Sequence, residues 1–383
     1  MRSSVGMPRQ DLRTFFDELP DHRVKRTRKH ALVDIVLLTL VATILGVEGW
    51  DEIHLFGVSR LEQLRPLLRL TNGVPSADTL RRVIGGLDSA AFRGVFVEWA
   101  QQLCAETAGK LVAIDGKTVR GAARNGGETL HLVNAWVQDN KLALGQFATD
   151  VKSNEITAIP ELLKLLDLRG AVVSIDAMGC QRGIAKAIRD RGADYLFGLK
   201  GNQPTLHQEV MAAFDEGTCR RLEQSPLGYA QQVDKAHGRL EIRRVWVLQD
   251  VQWLAQSDRW PDLRCVVMVE SQRTTSKATS TERRAYISSV APNARLLAQL
   301  VRGHWQIENN LHWVLDVTFG EDHARVSRKH GAENLALIRK TAMNLLHRAP
   351  APHRSATSLP QKRLWANSRI EYLTEILSSG REV

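Results

Sequence analysis

Two short apolar runs constrain this chain most, because each of them ends on an aspartate. Leu111-Val112-Ala113-Ile114 runs into Asp115-Gly116, and Ala171-Val172-Val173-Ser174-Ile175 runs into Asp176. Runs of this length read as buried strands. Between and after them, Leu130 to Val137 and Lys141 to Thr149 alternate as strands joined at Asp139-Asn140. Glu155 to Leu168 and Arg182 to Arg191 have helical spacing, and Tyr195 to Leu199 reads as one more strand. The order β-β-β-α-β-α-β predicts a mixed sheet with helices on its faces, an α/β fold. If the two aspartate-bearing strands are parallel neighbours, Asp115 and Asp176 share one sheet edge, which is where sites form in such sheets. Asp-Gly after a strand is equally an ordinary turn, so neither aspartate is diagnostic alone.

The flanking regions read differently. Residues 1–108 carry helical periodicity, including Leu12-x-x-Phe15-Phe16-x-x-Leu19 before Pro20 and an apolar helix from Leu32 to Leu45, broken by Gly46 and Gly49. Ser76 is a candidate N-cap, and Ser89 to Ala108 closes this all-helical domain. Residues 109–349 form the α/β domain, interrupted by a strand-rich insertion at about 203–290, and Asn293 to Leu315 is helical. The Pro- and Ser-rich tail, 350–383, reads as a mobile connection before a short helix from Ile370 to Leu377. With 52 Lys and Arg against 42 Asp and Glu, the chain carries +10, a balance that suits a polyanion partner. The four cysteines form no Cys-x-x-Cys pair, which speaks for reduced, buried thiols and against structural zinc. The N-terminus has no apolar signal core, and the run from Ile35 to Val47 is too short to span a bilayer. A soluble cytoplasmic protein without a membrane partner is therefore expected.

Two neighbouring carboxylates repel unless a cation lies between them, and a hard divalent ion with oxygen ligands is the natural one. A third carboxylate comes from the polar cluster Arg302 to Val317, in which His304, Glu308, His312 and Asp316 fall on one face at 3.6 residues per turn. Zinc held by His304, Glu308 and His312 is an alternative, although the His-Glu-x-x-His pattern is absent. Histidines simply packed under the sheet are another.

The run Arg302-Gly303-His304-Trp305-Gln306-Ile307-Glu308-Asn309-Asn310-Leu311-His312-Trp313-Val314-Leu315-Asp316-Val317, with Phe319-Gly320-Glu321-Asp322 after it, resembles the signature of bacterial insertion-sequence DDE transposases of the H-repeat-associated type. Ala113 to Gly121, Ile175 to Gln181, Leu199 to Gln203 and His237 to Arg243 resemble further blocks of that family, as do Pro20-Asp21-His22-Arg23 and Pro75 to Thr79 in the helical region. The resemblance implies an RNase H-like fold and a catalytic, metal-binding triad of Asp115, Asp176 and Glu308. It implies two Mg²⁺ ions, with Mn²⁺ able to substitute, and DNA as partner: the ends of the element and a target. Homo-oligomers on DNA and a nucleoid-associated location follow from it. The 131 residues between Asp176 and Glu308 fit an insertion there. Broader relatives place Tyr, Arg and Lys around the glutamate where this chain has Val301, His304 and Leu315. Asp316 is the second candidate for the third ligand. Expected DNA contacts are Lys117, Arg120, Lys200, Asn202, Arg302 and His304, with Arg23, Lys25 and Arg26 as a basic arm. A nuclease of the same fold, or an element protein reduced to DNA binding, are the rival readings.

Overall fold

The computed structural model describes residues 12–123, 129–149, 154–236, 239–324, 326 and 330–380. The first eleven residues and the His237-Gly238 block lie outside them. Six helices come first: α1 (Leu12–Asp17), α2 (Leu32–Leu45), α3 (Trp50–Ser59), α4 (Leu61–Leu68), α5 (Ala77–Gly86) and α6 (Ser89–Cys104). The α2 boundaries are those the sequence suggests. Gly46 ends it with φ +85°, a left-handed conformation that favours glycine. Ser76 caps α5, its Oγ accepting the Thr79 N–H at 3.3 Å.

The α/β part follows as β1 (Leu111–Val119), β2 (Leu130–Val137), β3 (Leu142–Ala148), α7 (Glu155–Leu165), β4 (Val172–Ile175), α8 (Arg182–Arg189) and β5 (Asp194–Leu199). Then come α9 (Pro204–Ala213), α10 (Glu216–Leu222), β6 (Tyr229–Ala236), β7 (Arg239–Leu248), β8 (Cys265–Thr274) and β9 (Thr279–Ser288). The chain closes with α11 (Ala294–His304), α12 (Gly331–Arg348), α13 (Leu359–Ser368) and α14 (Ile370–Ser378). One nine-stranded sheet runs β3-β2-β1-β4-β5-β9-β8-β7-β6. Among the described residues only the β1/β4 and β4/β5 pairs are parallel. The fold is a mixed α/β sheet with flanking helices behind a helical region, and it is RNase H-like.

Three expectations need correction. The stretch 203–290 is not mostly strands at its start, since α9 and α10 open it, and β9 pairs directly with β5, so the added strands extend the main sheet. The tail is not a loose connection: Lys362 Nζ donates to the carbonyls of Leu346 and Ala349 at 2.7 and 2.5 Å. Arg363 and Asn367 of α13 likewise hydrogen-bond the carbonyls that close α2. Asp115-Gly116 is not a turn, because β1 continues through it to Val119, paired with β2 along its length.

Helix α12 joins the helical region to the sheet. It packs on α2, α5 and α6 and on β3, and a single apolar cluster runs from Leu12 to Ile376. The edge strand β3 is covered rather than left free. The Asn344 side chain accepts the Ala143 N–H and donates to the Ala143 carbonyl, both at 2.9 Å, at a fully buried position. Asn344→Ala strands both backbone groups, so urea unfolding should show a loss of about 2–4 kcal/mol. A loss within about 0.5 kcal/mol would mean the edge is held by apolar packing alone. All four cysteines are free and buried, as expected from their spacing. Among the described residues no single helix is long and apolar enough to cross a membrane.

Candidate active site

The register of the parallel strands brings the two aspartates together. Ile114 on β1 pairs with Ile175 on β4, so Asp115 and Asp176 are the next residues on neighbouring strands. Strand β4 ends there while β1 runs on, which leaves a gap beside Asp115. Asp176 turns the chain away, accepting the Met178 N–H at 3.0 Å. The Asn202 amide donates to the Ala177 carbonyl and ties this turn to the segment after β5.

The helix after α11 supplies the third group. From Glu308 to His312 and again from Val314 to Thr318 it is wound as π-helix, at more than 3.6 residues per turn. The wider winding rotates the face expected from regular spacing. His304, Glu308, His312 and Asp316 therefore do not act together. His304 is buried against β4, its Nδ1 3.0 Å from the Ser174 hydroxyl, and burial lowers its pKa to about 4. Asp316 turns to Lys117, at 2.6 Å. Glu308 and His312 meet Asp115: His312 Nδ1 lies 2.9 Å from Glu308 Oε2 and 3.6 Å from Asp115 Oδ2. One donor atom each from Asp115, Glu308 and His312 lies within 4.8 Å of the others, a set that could hold a metal ion. A zinc site using His304 is excluded by its position, and Asp316 is committed to the lysine.

Burial, then the charges of Asp176 and Glu155, raise the Asp115 pKa from 3.8 to about 7. Burial lowers the pKa of His312, outweighing the opposing pull of Glu308, so its ring is neutral and suited to ligation. From sequence His312 enters only as a ligand of the zinc alternative, on the strength of its i+4 spacing from Glu308; the structure keeps that pairing and drops His304. The raised carboxyl has a stability consequence. Between the unfolded value of 3.8 and the folded value of about 7 the folded state holds a proton that the unfolded state has released. Stability of the metal-free protein therefore falls as pH rises through that window. Asp115→Asn removes this penalty. Thermal melts at about pH 8 should show the variant more stable by a few kcal/mol, the gap closing near about pH 4. Parallel melting curves at both pH values would contradict the raised carboxyl.

The cations expected to touch DNA divide into two groups. Lys117 is not available: its ammonium is buried and meets Asp316, Glu321 and Asp322 at 2.6, 3.0 and 3.6 Å. Arg23 is likewise spent internally, forked onto Asp21 and donating to the His30 carbonyl. His304 is buried, as described. Lys25, Arg26 and Arg120 are exposed, Arg120 at 82% of its side chain. Lys200 is exposed at the rim of a cavity of about 120 Å³ that also takes in Asp176, Arg284, His304 and Trp305. A second groove of about 330 Å³ shares Arg284 and Trp305 and adds Arg243, Arg273 and Arg302. Arg302 there is exposed and paired with Asp234 at 2.9 Å. A basic cleft thus leads from Asp176 along the added strands.

Two aspartates side by side on a mixed sheet, with a glutamate brought to the first of them by a helix, are met again in the family to which known proteins assign this chain. The family model "Transposase DDE domain" matches residues 106–345, and "DDE_Tnp_1-associated" matches residues 13–100. The chain belongs to the DDE transposase domain family, among the insertion-sequence members related to H-repeat-associated proteins. It is 39% identical over 381 residues to "Putative transposase YncI" of Escherichia coli O157:H7, covering 98% of this chain and 96% of that protein. It is 38% identical over 337 residues to "H repeat-associated putative transposase YhhI" of Escherichia coli K12, covering 86% and 88%. A Xanthobacter autotrophicus protein described only as lying in the "dhlA 3'region" is 43% identical over 280 residues, covering 72% of this chain and 93% of its own.

Proposed function

We propose that this chain is a transposase that binds the ends of an insertion sequence, cuts them and joins them to target DNA. The observation that supports the reading is that Asp115 lies beside Asp176 on the parallel β1/β4 pair and within reach of Glu308 and His312 from the helix. Three carboxylates in one place fit divalent ions with oxygen ligands, and Mg²⁺ accepts few protein ligands together with waters and phosphates. Two such ions, when bound, activate the attacking oxygen and stabilise the leaving one in an in-line displacement. Asp115, Asp176 and Glu308 would hold these ions, with Asp115 serving both and Asp176 and Glu308 one each. His312 orients the Glu308 carboxylate through its 2.9 Å contact.

Hydrolysis at the element's end frees a 3′-hydroxyl, which then attacks a target phosphodiester in the same site. Bond exchange needs neither a covalent protein intermediate nor an external energy source. Lys200, Arg284 and Arg302 line the cleft where backbone phosphates would run. Arg120, Lys25 and Arg26 offer further exposed positive charge. Asn202 acts indirectly, by holding the turn after Asp176. The helical region, with its arm, reads as the part that recognises element ends, and oligomers assemble on DNA to pair two of them.

The test is a labelled duplex carrying the DNA that flanks the chain's own gene. In Mg²⁺ or Mn²⁺ the protein should yield both a nicked end and a product joined to a second duplex, and in EDTA neither. Nicking without any joined product would assign the chain to the nucleases instead.

A further inference from the structure

The two edges of the sheet are treated differently. Strand β3 is covered by α12, whereas β6 (Tyr229–Ala236) ends the sheet at the other side, and among the described residues β7 is the one strand paired with it. Its eight residues contain no proline, and the β6/β7 register runs without a bulge. Gln231, Val233 and Lys235 are exposed, Val233 at 56%. A straight edge of this length is one that sheets normally blunt, because its free backbone groups invite another strand.

The hydrogen-bond phase says which groups are free. The Val247 N–H donates to the Gly228 carbonyl at 2.9 Å, just before Tyr229 pairs with Trp246. In an antiparallel pair successive residues turn their backbone groups alternately toward and away from the partner. Gln232 and Asp234 therefore face β7, and Gln231, Val233 and Lys235 turn N–H and C=O outward. Tyr229 also turns away from β7, but its N–H is already bonded to the Ser225 carbonyl at 3.1 Å.

This edge is complementary to itself. Placed antiparallel against a second copy with Val233 on a two-fold axis, Gln231 lies opposite Lys235, and every outward N–H meets an outward carbonyl. The two exposed valines cover each other, the Gln232 amide meets the Asp234 carboxylate, and no like charges are opposed. Centring on Asp234 would set two carboxylates against each other. Centring on Gln232 would spend Lys235 on Tyr229, whose N–H is taken. Beside Ala230 and Gln232 an open groove of about 370 Å³ is lined by Arg295 and Gln299 of α11, and Arg295 is exposed. A second strand entering there brings its Asp234 toward that arginine.

We propose that β6 is a dimerisation strand, pairing antiparallel with β6 of a second copy of this chain about Val233, so that two nine-stranded sheets become one. The contact is isologous, the same patch serving both copies, and so it closes as a dimer. A two-fold axis perpendicular to the sheet keeps each face on its own side. The grooves lined by Arg243, Arg273 and Arg302 then share one surface of the dimer. The pairing stands on the strand itself and does not depend on the reading of the carboxylate site.

The experiment is sedimentation equilibrium of the full-length protein without DNA, with thermal melts to confirm that each variant is folded. The wild type should sediment with the mass of two chains. Val233→Pro removes an N–H that makes no bond within the chain, a change an edge strand tolerates, and should halve the mass while leaving the melt unchanged. Val233→Lys and Val233→Glu each oppose like charges at the axis and should be monomers. Mixed in equal amounts they should form a heterodimer, a rescue that a folding defect would not show. A wild type that stays monomeric across the concentration range overturns the proposal. So does a Val233→Pro protein that remains dimeric, or a Lys and Glu mixture that fails to associate, since either places any contact away from Val233.

Discussion

Asp115→Ala, Asp176→Ala and Glu308→Ala should each reduce cleavage and joining of a labelled element end at least about a thousandfold, while DNA binding stays within a few-fold of wild type. The size follows from what the groups do. Two-ion displacement depends on both ions being held at once, and residues that act as a unit lose nearly everything when one is removed. Binding should survive because the proposed DNA contacts are other residues, those of the basic cleft from Lys200 through Arg284 to Arg302. Gel shifts and product gels on the same preparations separate the two effects. Asp316→Ala is the informative control, because Asp316 faces Lys117 rather than the aspartates. If Glu308→Ala remained active and Asp316→Ala were dead, the third ligand would be Asp316.

The second large effect concerns stability. Glu321 is fully buried and lies 3.0 Å from Lys117 Nζ. Burial pushes its carboxyl up, but Lys340, Lys117 and Arg339 together outweigh this and hold it below its ordinary value. Lys340 is itself fully buried, and burial brings its pKa down to about 8 despite Glu321. It also donates to Gln146 on β3 at 2.7 Å. Glu321→Gln removes the carboxylate whose charge offsets the buried Lys340 and leaves Lys117 to Asp316 and Asp322, and should cost about 3–5 kcal/mol in urea unfolding at neutral pH. Lys340→Met added to it should recover part of the loss, since it removes one orphaned charge. A loss below about 1 kcal/mol would show that solvent or Asp316 and Asp322 compensate. The cluster reaches the site along one strand, because Lys117 lies two residues beyond Asp115 on β1.

The strands bearing Asp115 and Asp176 were legible because a short buried strand and its terminal polar residue are local features. Their parallel adjacency was a conditional inference, and the Ile114–Ile175 register supplies it. Long-range pairing is not written in periodicity. The helix around Glu308 misled for a different reason. Regular spacing assumes 3.6 residues per turn, and the π turns change which residues meet: Glu308 keeps His312, but Asp316 swings to Lys117 and His304 to Ser174. Helix α12 escaped notice because Glu333, Asn334, Lys340 and Asn344 look like a solvated face and are in fact buried between two layers. Polar residues read as surface unless their partners are known. The same rule puts Lys117 and Arg23 among the expected DNA contacts, whereas both are ion-paired within the chain. Glu155 and Gly116 show the converse: a Cβ at Gly116 would overlap the Glu155 carboxylate, and a missing Cβ has meaning only once its neighbour is placed.

The central claim is that Asp115, Asp176 and Glu308 form one site for two divalent ions. Counting Mn²⁺ bound to the full chain on its end DNA tests it most directly. The account predicts two ions per chain for the wild type, and at most one for Asp115→Asn on the same DNA. Equal occupancy in the two proteins would contradict it.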